Sequence, residues 1–184
     1  MSVAETLKIT AKEYRAMPET GPRYQLIQGE LIMSPSPSRF HQDISRNLLV
    51  ILVSWLKENP IGVIYFAPFD VEFTKHDVFQ PDILFVSNDR KSILTKAGAT
   101  GAPDLVVEIL SPITSSVDCG VKKKQYAKSG VRELWIIDPN LKAIEVFNLQ
   151  RDVDRPAAVY TESDSIESSC FPGWSGSVLE IFRQ

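Results

Sequence analysis

The sequence predicts an α+β (α/β) domain in which one mixed β-sheet is flanked by helices. Apolar residues recur at helical spacing over 38–59, which predicts one long helix. Branched and aromatic residues are concentrated at 61–67, 69–74 and 78–86, and this enrichment is typical of strands. A further apolar run over 104–110 predicts a buried strand that leads into a second helix.

The N-terminal part adds two smaller elements to this centre. Thr10 is suited to cap a short helix within 9–18, because Pro18 cannot continue it. Residues 23–33 predict a hairpin that turns at Gly29.

The C-terminal part adds strands. Gly130 is suited to end the second helix, and 131–138 predicts a strand that pairs back with 142–149. We therefore expect one domain over 1–184, whose parts are a short helix and hairpin (9–33), a long helix (38–59), a catalytic sheet and helix (61–149) and C-terminal strands (157–182).

Composition narrows the function classes. The net charge is −3, which does not favour a strongly basic nucleic-acid binder, although local positive patches can still act. Cys119 and Cys170 form no zinc pattern, so we interpret them as free thiols. No apolar run approaches the roughly 18 residues of a membrane span, and the N-terminus lacks the apolar core of a signal peptide. We expect a cytoplasmic protein.

Two acids lie within predicted strands, Asp82 in the run 78–86 and Glu108 in the run 104–110. An ionised carboxylate in such a strand is unfavourable unless a cation meets it. On the following helix Asp118, Lys122 and Tyr126 are spaced four residues apart, so they share one face. The cation for Glu108 could be Lys122, a metal ion or both. Two acids and a lysine predict a metal site for hydrolysis, because divalent cations bind carboxylates and activate water.

Three motifs, QPDILFV, PDLVVEILSP and DCGVKKKQYAKSGVRELWIIDP, occur in this order along the chain. Together with YQLIQGELIMSPSPSRFHQDI, they resemble the Uma2 (DUF820) family, common in cyanobacteria, of the PD-(D/E)XK superfamily. The resemblance extends over about residues 9–182. It implies a restriction-endonuclease-like fold and a Mg²⁺-dependent (or Mn²⁺-dependent) endonuclease that acts on DNA.

The resemblance also implies which residues form the site. Asp82 and Glu108 correspond to the two acids, and they would hold the metal with the backbone carbonyl of Ile109. The superfamily has a lysine two residues after the second acid, where this chain has Leu110. Lys122 on the following helix takes its place and completes the catalytic set, since a long side chain can reach one site from a neighbouring element.

Four further residues are supporting candidates, namely Glu30, His41, Lys124 and Tyr126. Glu30 and His41 match family positions that line the same cleft, and Lys124 could substitute for its neighbour Lys122. Two of them also have a structural interpretation: His41 as a surface or capping histidine, and Tyr126 as a packing residue with a hydrogen-bonded hydroxyl.

Alternatives remain open at this point. Asp82 could be an edge-strand aspartate bonded to backbone, and Glu108 could form a structural pair with Lys122 that binds no metal. The whole chain could be a catalytically inactive nucleic-acid-binding or assembly module on the same fold. A hydrolase of a smaller phosphoester is a third interpretation. A homodimer is compatible with cleavage of two strands.

Overall fold

The computed structural model describes residues 8–18, 20–111 and 118–184, with backbone alone at residues 118 and 119. The predicted α+β class is confirmed, since the described strands form mixed sheets flanked by helices. The strands do not form one sheet, however. Within the described residues they form two six-stranded sheets and a separate two-stranded one.

The first sheet contains the N-terminal hairpin. Its strand order is β2-β1-β5-β4-β8-β7, and β4 and β8 are parallel. The strands are Tyr24–Ile27 (β1), Glu30–Met33 (β2), Val71–Thr74 (β4), Asp77–Phe79 (β5), Leu94–Thr95 (β7) and Gly98–Thr100 (β8).

The second sheet is the central layer of the domain. Its strand order is β12-β11-β10-β9-β6-β3, in which β9 and β10 are parallel and the other neighbours antiparallel. The strands are Gly62–Phe66 (β3), Ile83–Ser87 (β6), Leu105–Ile109 (β9), Glu133–Asp138 (β10), Ala143–Asn148 (β11) and Ala158–Thr161 (β12).

The link between β5 and β6 corrects one prediction. A continuous strand over 78–86 is wrong, because the chain leaves the first sheet after Phe79 and enters the second at Ile83. Pro81 lies in the link, and its missing N–H cannot extend a central ladder. Asp82 is therefore at the crossing point between the two sheets rather than inside a strand.

The helices follow the predicted order except the last, which lies within 157–182, where the sequence predicts strands; that prediction is wrong over Val178–Ile181. They are Ala11–Arg15 (α1), Arg39–Glu58 (α2), Lys123–Ser129 (α3) and Val178–Ile181 (α4), with a 3-10 helix at Asn88–Ile93, a π-helical turn at Asp118–Lys122 and a small hairpin of Ser165–Glu167 (β13) and Ser175–Ser177 (β14). Ser38 caps α2, and Gly130 ends α3 in a left-handed conformation. Between β9 and α3, the sequence predicts a turn at Ser111-Pro112 and a helix cap at Ser115, Ser116 or Asp118, and these positions lie partly outside the described residues. None of the described helices combines the length and apolar character that a bilayer crossing requires.

Both faces of the central sheet are buried. On one face, Ile44 and Leu48 of α2 pack with residues of β6 and β9, and the C-terminal segment adds Phe171 to the same cluster. On the other face, Val106 packs with Tyr126 of α3. The residues that alternate along β9 therefore serve two cores, which explains why the run over 104–110 is almost wholly apolar.

Gly98, at the start of β8, tests how closely this strand packs against the backbone at Asp70. Its φ is +140°, and a β-carbon there would overlap the carbonyl oxygen of Asp70. We expect Gly98→Ala to lower the free energy of unfolding by about 1–3 kcal/mol or more, from backbone strain plus this overlap. Urea unfolding measures it. Gly173→Ala is the control, because Gly173 also has a positive φ (+81°) but open space around it. Equal losses in the two variants would contradict the close contact.

Candidate active site

A cleft of about 760 Å³ opens beside the first turn of α2 and the crossing point between the sheets. Asp82, Glu108 and Lys122 all line it. The segment 34–37, which the sequence predicts as a proline-stiffened loop, forms part of its wall. The three residues singled out in the sequence thus lie together, although they come from three separate elements.

The strand register brings the two acids together. β6 and β9 are antiparallel, with Ile83 opposite Val107, so Asp82, which directly precedes β6, lies near the end of β9 that carries Glu108 and Ile109. The Ile109 N–H donates a hydrogen bond of 2.7 Å to Asp82 Oδ2, which fixes the aspartate against β9.

Glu108 is buried with a cation. The residue is 3% exposed and Lys122 is 2% exposed, and Lys122 Nζ lies 3.0 Å from Glu108 Oε1. The Tyr126 hydroxyl donates a hydrogen bond to the same oxygen. This pairing accounts for a carboxylate in an apolar strand, because a buried charge is tolerated when it is paired and hydrogen-bonded.

The Tyr126 ring is held by packing. It meets Phe73 and Phe79 edge-on, with centroid distances of 5.2 and 5.6 Å. The ring is fully buried, so its hydroxyl has a fixed position. Tyr126 therefore matches the interpretation of a packing residue whose hydroxyl orients Glu108.

His41 lies in the first turn of α2 and lines the same cleft. Its backbone N–H donates to Ser38 Oγ at 3.2 Å, and its ring Nε2 is 3.3 Å from Asp82 Oδ2. The residue is 9% exposed, so the alternative of a surface histidine is wrong. Asp82 is thus contacted from two sides, by His41 and by the Ile109 backbone.

Known proteins resemble this chain both in sequence and in fold. The Uma2 family model, described as a putative restriction endonuclease, matches residues 11–180. The chain belongs to the Uma2 family. The fold is similar to that of a crystal structure from Anabaena variabilis, described as a putative nuclease belonging to DUF820. The TM-score is 0.79 at 24% identity, and the match covers 95% of this chain and 97% of that one. A search of the curated proteins found no match.

Two supporting candidates lie away from the Uma2 cleft. Glu30 is exposed at the turn end of the β1–β2 hairpin, opposite Ile27, and it is not among the residues that line the cleft. The expectation that it lines the cleft is wrong, because the opposite end of β2 reaches that wall. Lys124 is exposed, and it too is absent from the lining. Each residue of a helix is rotated by about 100° from the one before it, so two residues differ by about 200°. The Lys124 side chain therefore cannot point in the same direction as that of Lys122.

Other residues of the Uma2 cleft are missing from the sequence prediction. Arg23, Met33, Phe66 and Gln80 line it, and they come from a loop, two strand ends and the inter-sheet link. No periodicity marks such positions, since each is set by where an element ends. Gln80 alone had a usable signal, because it stands in the same motif as Asp82.

The donor set of the Uma2 cleft fits a hard divalent cation. Within the described residues, no three His, Cys, Asp or Glu side chains cluster as a metal site. Asp82, Glu108 and Ile109 line the cleft and offer two carboxylates and a backbone carbonyl. Mg²⁺ characteristically binds one or two carboxylates and retains several waters, so these donors are of the chemical kind that such an ion takes. The side-chain contacts of Asp82 with Ile109 and His41 both use Oδ2, and no described residue donates a hydrogen bond to its Oδ1.

Proposed function

We propose that the chain is a metal-dependent endonuclease that hydrolyses DNA phosphodiester bonds with Mg²⁺ or Mn²⁺. The observation that carries the proposal is the meeting of Asp82, Glu108 and Lys122 in the lining of one cleft. Membership of a family described as a putative restriction endonuclease supports the same activity. Oxygen donors beside a buried ammonium group suit a reaction in which negative charge increases on a phosphate.

The metal would be held by Asp82, Glu108 and the Ile109 carbonyl. When bound, the ion supplies Lewis-acid stabilisation of the phosphate and lowers the pKa of water. The protein's own part is orientation. The Ile109 N–H and His41 hold Asp82, and Tyr126 and Lys122 hold Glu108.

Lys122 would act on the phosphate electrostatically. Its ammonium is 3.0 Å from Glu108 Oε1 and almost excluded from solvent, where a positive charge acts more strongly than in water. We infer that it stabilises the transition-state charge or orients the attacking water. Position 110, where the superfamily carries its lysine, holds a leucine that packs against the cluster of Val106 and Tyr126. The strand position therefore serves the core, and the helix supplies the charge.

One observation favours a second candidate, a catalytically inactive nucleic-acid-binding or assembly module. Lys122 and Tyr126 both engage Glu108 Oε1, so this carboxylate already has protein partners. A structural ion pair of this kind needs no metal. The net charge of −3 also argues against strong general affinity for DNA.

Metal binding separates the two candidates. We expect calorimetry to detect Mn²⁺ binding, and we expect a supercoiled plasmid to be nicked or cut in Mg²⁺ or Mn²⁺ but not in EDTA. The physical reason is that the acids of the cleft need the ion before they can contribute to hydrolysis. Absence of Mn²⁺ binding, combined with DNA affinity that EDTA leaves unchanged, would refute the nuclease and favour the module.

A further inference from the structure

A second hollow adjoins the candidate active site. Its volume is about 640 Å³, and Gly21, Pro22, Arg23 and Gln80 line both hollows. The two hollows therefore adjoin at these residues. Each volume falls in the range of about 300–1,000 Å³ that holds a small organic ligand, so each could hold one nucleotide.

Two cations along these hollows are available to a ligand, one where the hollows adjoin and one in the second hollow. Arg23 lines both hollows and Lys96 lines the second, and both side chains are exposed. Neither forms an ion pair with any residue that the structure describes. The neighbouring Arg15 differs, because its guanidinium is 2.5 Å from the Glu72 carboxylate. In a chain with a net charge of −3, two uncommitted cations in the hollows that extend from the acidic centre mark a place for a polyanion.

Exposed apolar side chains stand at the acidic centre itself. Phe66 is 56% exposed and Met33 is 58% exposed, and both line the cleft. Phe66 ends β3 opposite Ile83, and the next residue, Ala67, donates its N–H to the Asp82 carbonyl at 3.0 Å. The exposed ring of Phe66 therefore belongs to the strand end that is hydrogen-bonded at Asp82, the aspartate of the proposed site.

The floor between the hollows is fixed by hydrogen bonds. The Gln80 side chain donates to Asp70 Oδ1 at 2.7 Å, and its backbone N–H donates to Gln25 Oε1 at 2.9 Å. In the second hollow, the Phe69 ring is stacked on Tyr65 at a centroid distance of 4.4 Å. Rings and polar groups on this floor are therefore held in place before a ligand arrives.

We propose that the two hollows form one track for an unpaired DNA strand. Phe66 stacks on the base beside the phosphate at Asp82, Arg23 contacts the next phosphate, and the second hollow takes the following nucleotide near Lys96. A duplex keeps its bases stacked inside, whereas an unpaired strand offers base faces to an exposed ring. The inference rests on the proposed nuclease function and names its substrate class as DNA with an unpaired stretch.

Binding measured by fluorescence anisotropy in EDTA tests the track without hydrolysis. A labelled 20-nucleotide single strand is compared with the blunt duplex of the same sequence, and we expect the single strand to bind at least about tenfold more tightly. Phe66→Ala is expected to weaken single-strand binding by about 5- to 150-fold, the range for loss of one stacked base. Phe66→Tyr keeps a ring and should retain the affinity.

The cations are tested by salt dependence. Affinity falls as salt rises, and a plot of log affinity against log salt has a negative slope. Arg23→Ala and Lys96→Ala should each make this slope less steep by about 0.7, the value for one phosphate contact on a single strand. Controls are Leu141→Ala, which removes an apolar side chain that is 74% exposed, and Lys57→Ala, which removes an exposed cation; neither residue lines a hollow. Both should bind as the unmodified protein does.

The outcomes separate this inference from the proposed function. Equal or tighter binding of the duplex, or Phe66→Ala binding like Leu141→Ala, would overturn the track even if the protein cuts plasmid DNA. Conversely, single-strand binding that depends on Phe66 supports the track even if no metal-dependent cleavage is found.

Discussion

An Asp82→Asn variant is expected to lose DNA cleavage by at least about 100-fold, because one of the two carboxylates that would hold the metal becomes neutral. Its stability should fall by only about 1 kcal/mol. Asp82 is partly exposed, with a side-chain exposure of 19%, and the asparagine oxygen can still accept the Ile109 N–H. The change therefore separates chemistry from folding.

Three measurements follow the effects of Asp82→Asn. Plasmid DNA in Mg²⁺ reports cleavage, calorimetry with Mn²⁺ reports metal binding, and urea unfolding reports stability. Asp152→Asn is the matched control. Asp152 also accepts backbone N–H groups, from Asp154 at 2.9 Å and Arg155 at 3.1 Å, but it lies in an exposed loop and is not among the residues that line the cleft. If the Asp82→Asn protein cuts DNA as fast as the Asp152→Asn protein, the role of Asp82 in the proposed mechanism is wrong.

The parts of the site that the sequence predicts are those whose residues conflict with their surroundings. Glu108 stands out because a carboxylate in an apolar strand needs a partner, and the spacing of Lys122 on the following helix supplies one. The family and the α+β class follow from motifs that extend along most of the chain, and both are confirmed. The roles of the individual residues in catalysis remain a prediction.

The parts that the sequence does not predict depend on where elements end. Apolar residues on both sides of Gln80-Pro81-Asp82 make 78–86 resemble one strand, so only this short interruption hints that the chain changes sheets there. The position of Phe66 beside Asp82 depends on that change, because the end of β3 meets the start of β6. Glu30 illustrates the converse, since its motif fits the family while the hairpin register carries it to the far end of the strand.

A Lys122→Met variant is expected to lose cleavage and to lose stability as well. The methionine keeps the apolar stem of the side chain but removes the charge that lies 3.0 Å from Glu108. Breaking a buried pair leaves an uncompensated charge, which costs about 3–5 kcal/mol. The control is Lys142→Met: its pair with Glu162 spans 2.8 Å, but the side chains are 45% and 38% exposed. Such a pair contributes at most about 1 kcal/mol.

A double variant distinguishes the two roles of Lys122. Glu108→Gln combined with Lys122→Met removes both charges, and the glutamine oxygen can still accept the Tyr126 hydroxyl. Urea unfolding should then show most of the lost stability restored, since replacing a whole buried pair by neutral groups is often close to neutral. Cleavage should stay absent, because the proposed metal ligand and the cation are both gone. If Lys122→Met alone is as stable as Lys142→Met, burial of Glu108 does not depend on this lysine, and the electrostatic role assigned to it fails.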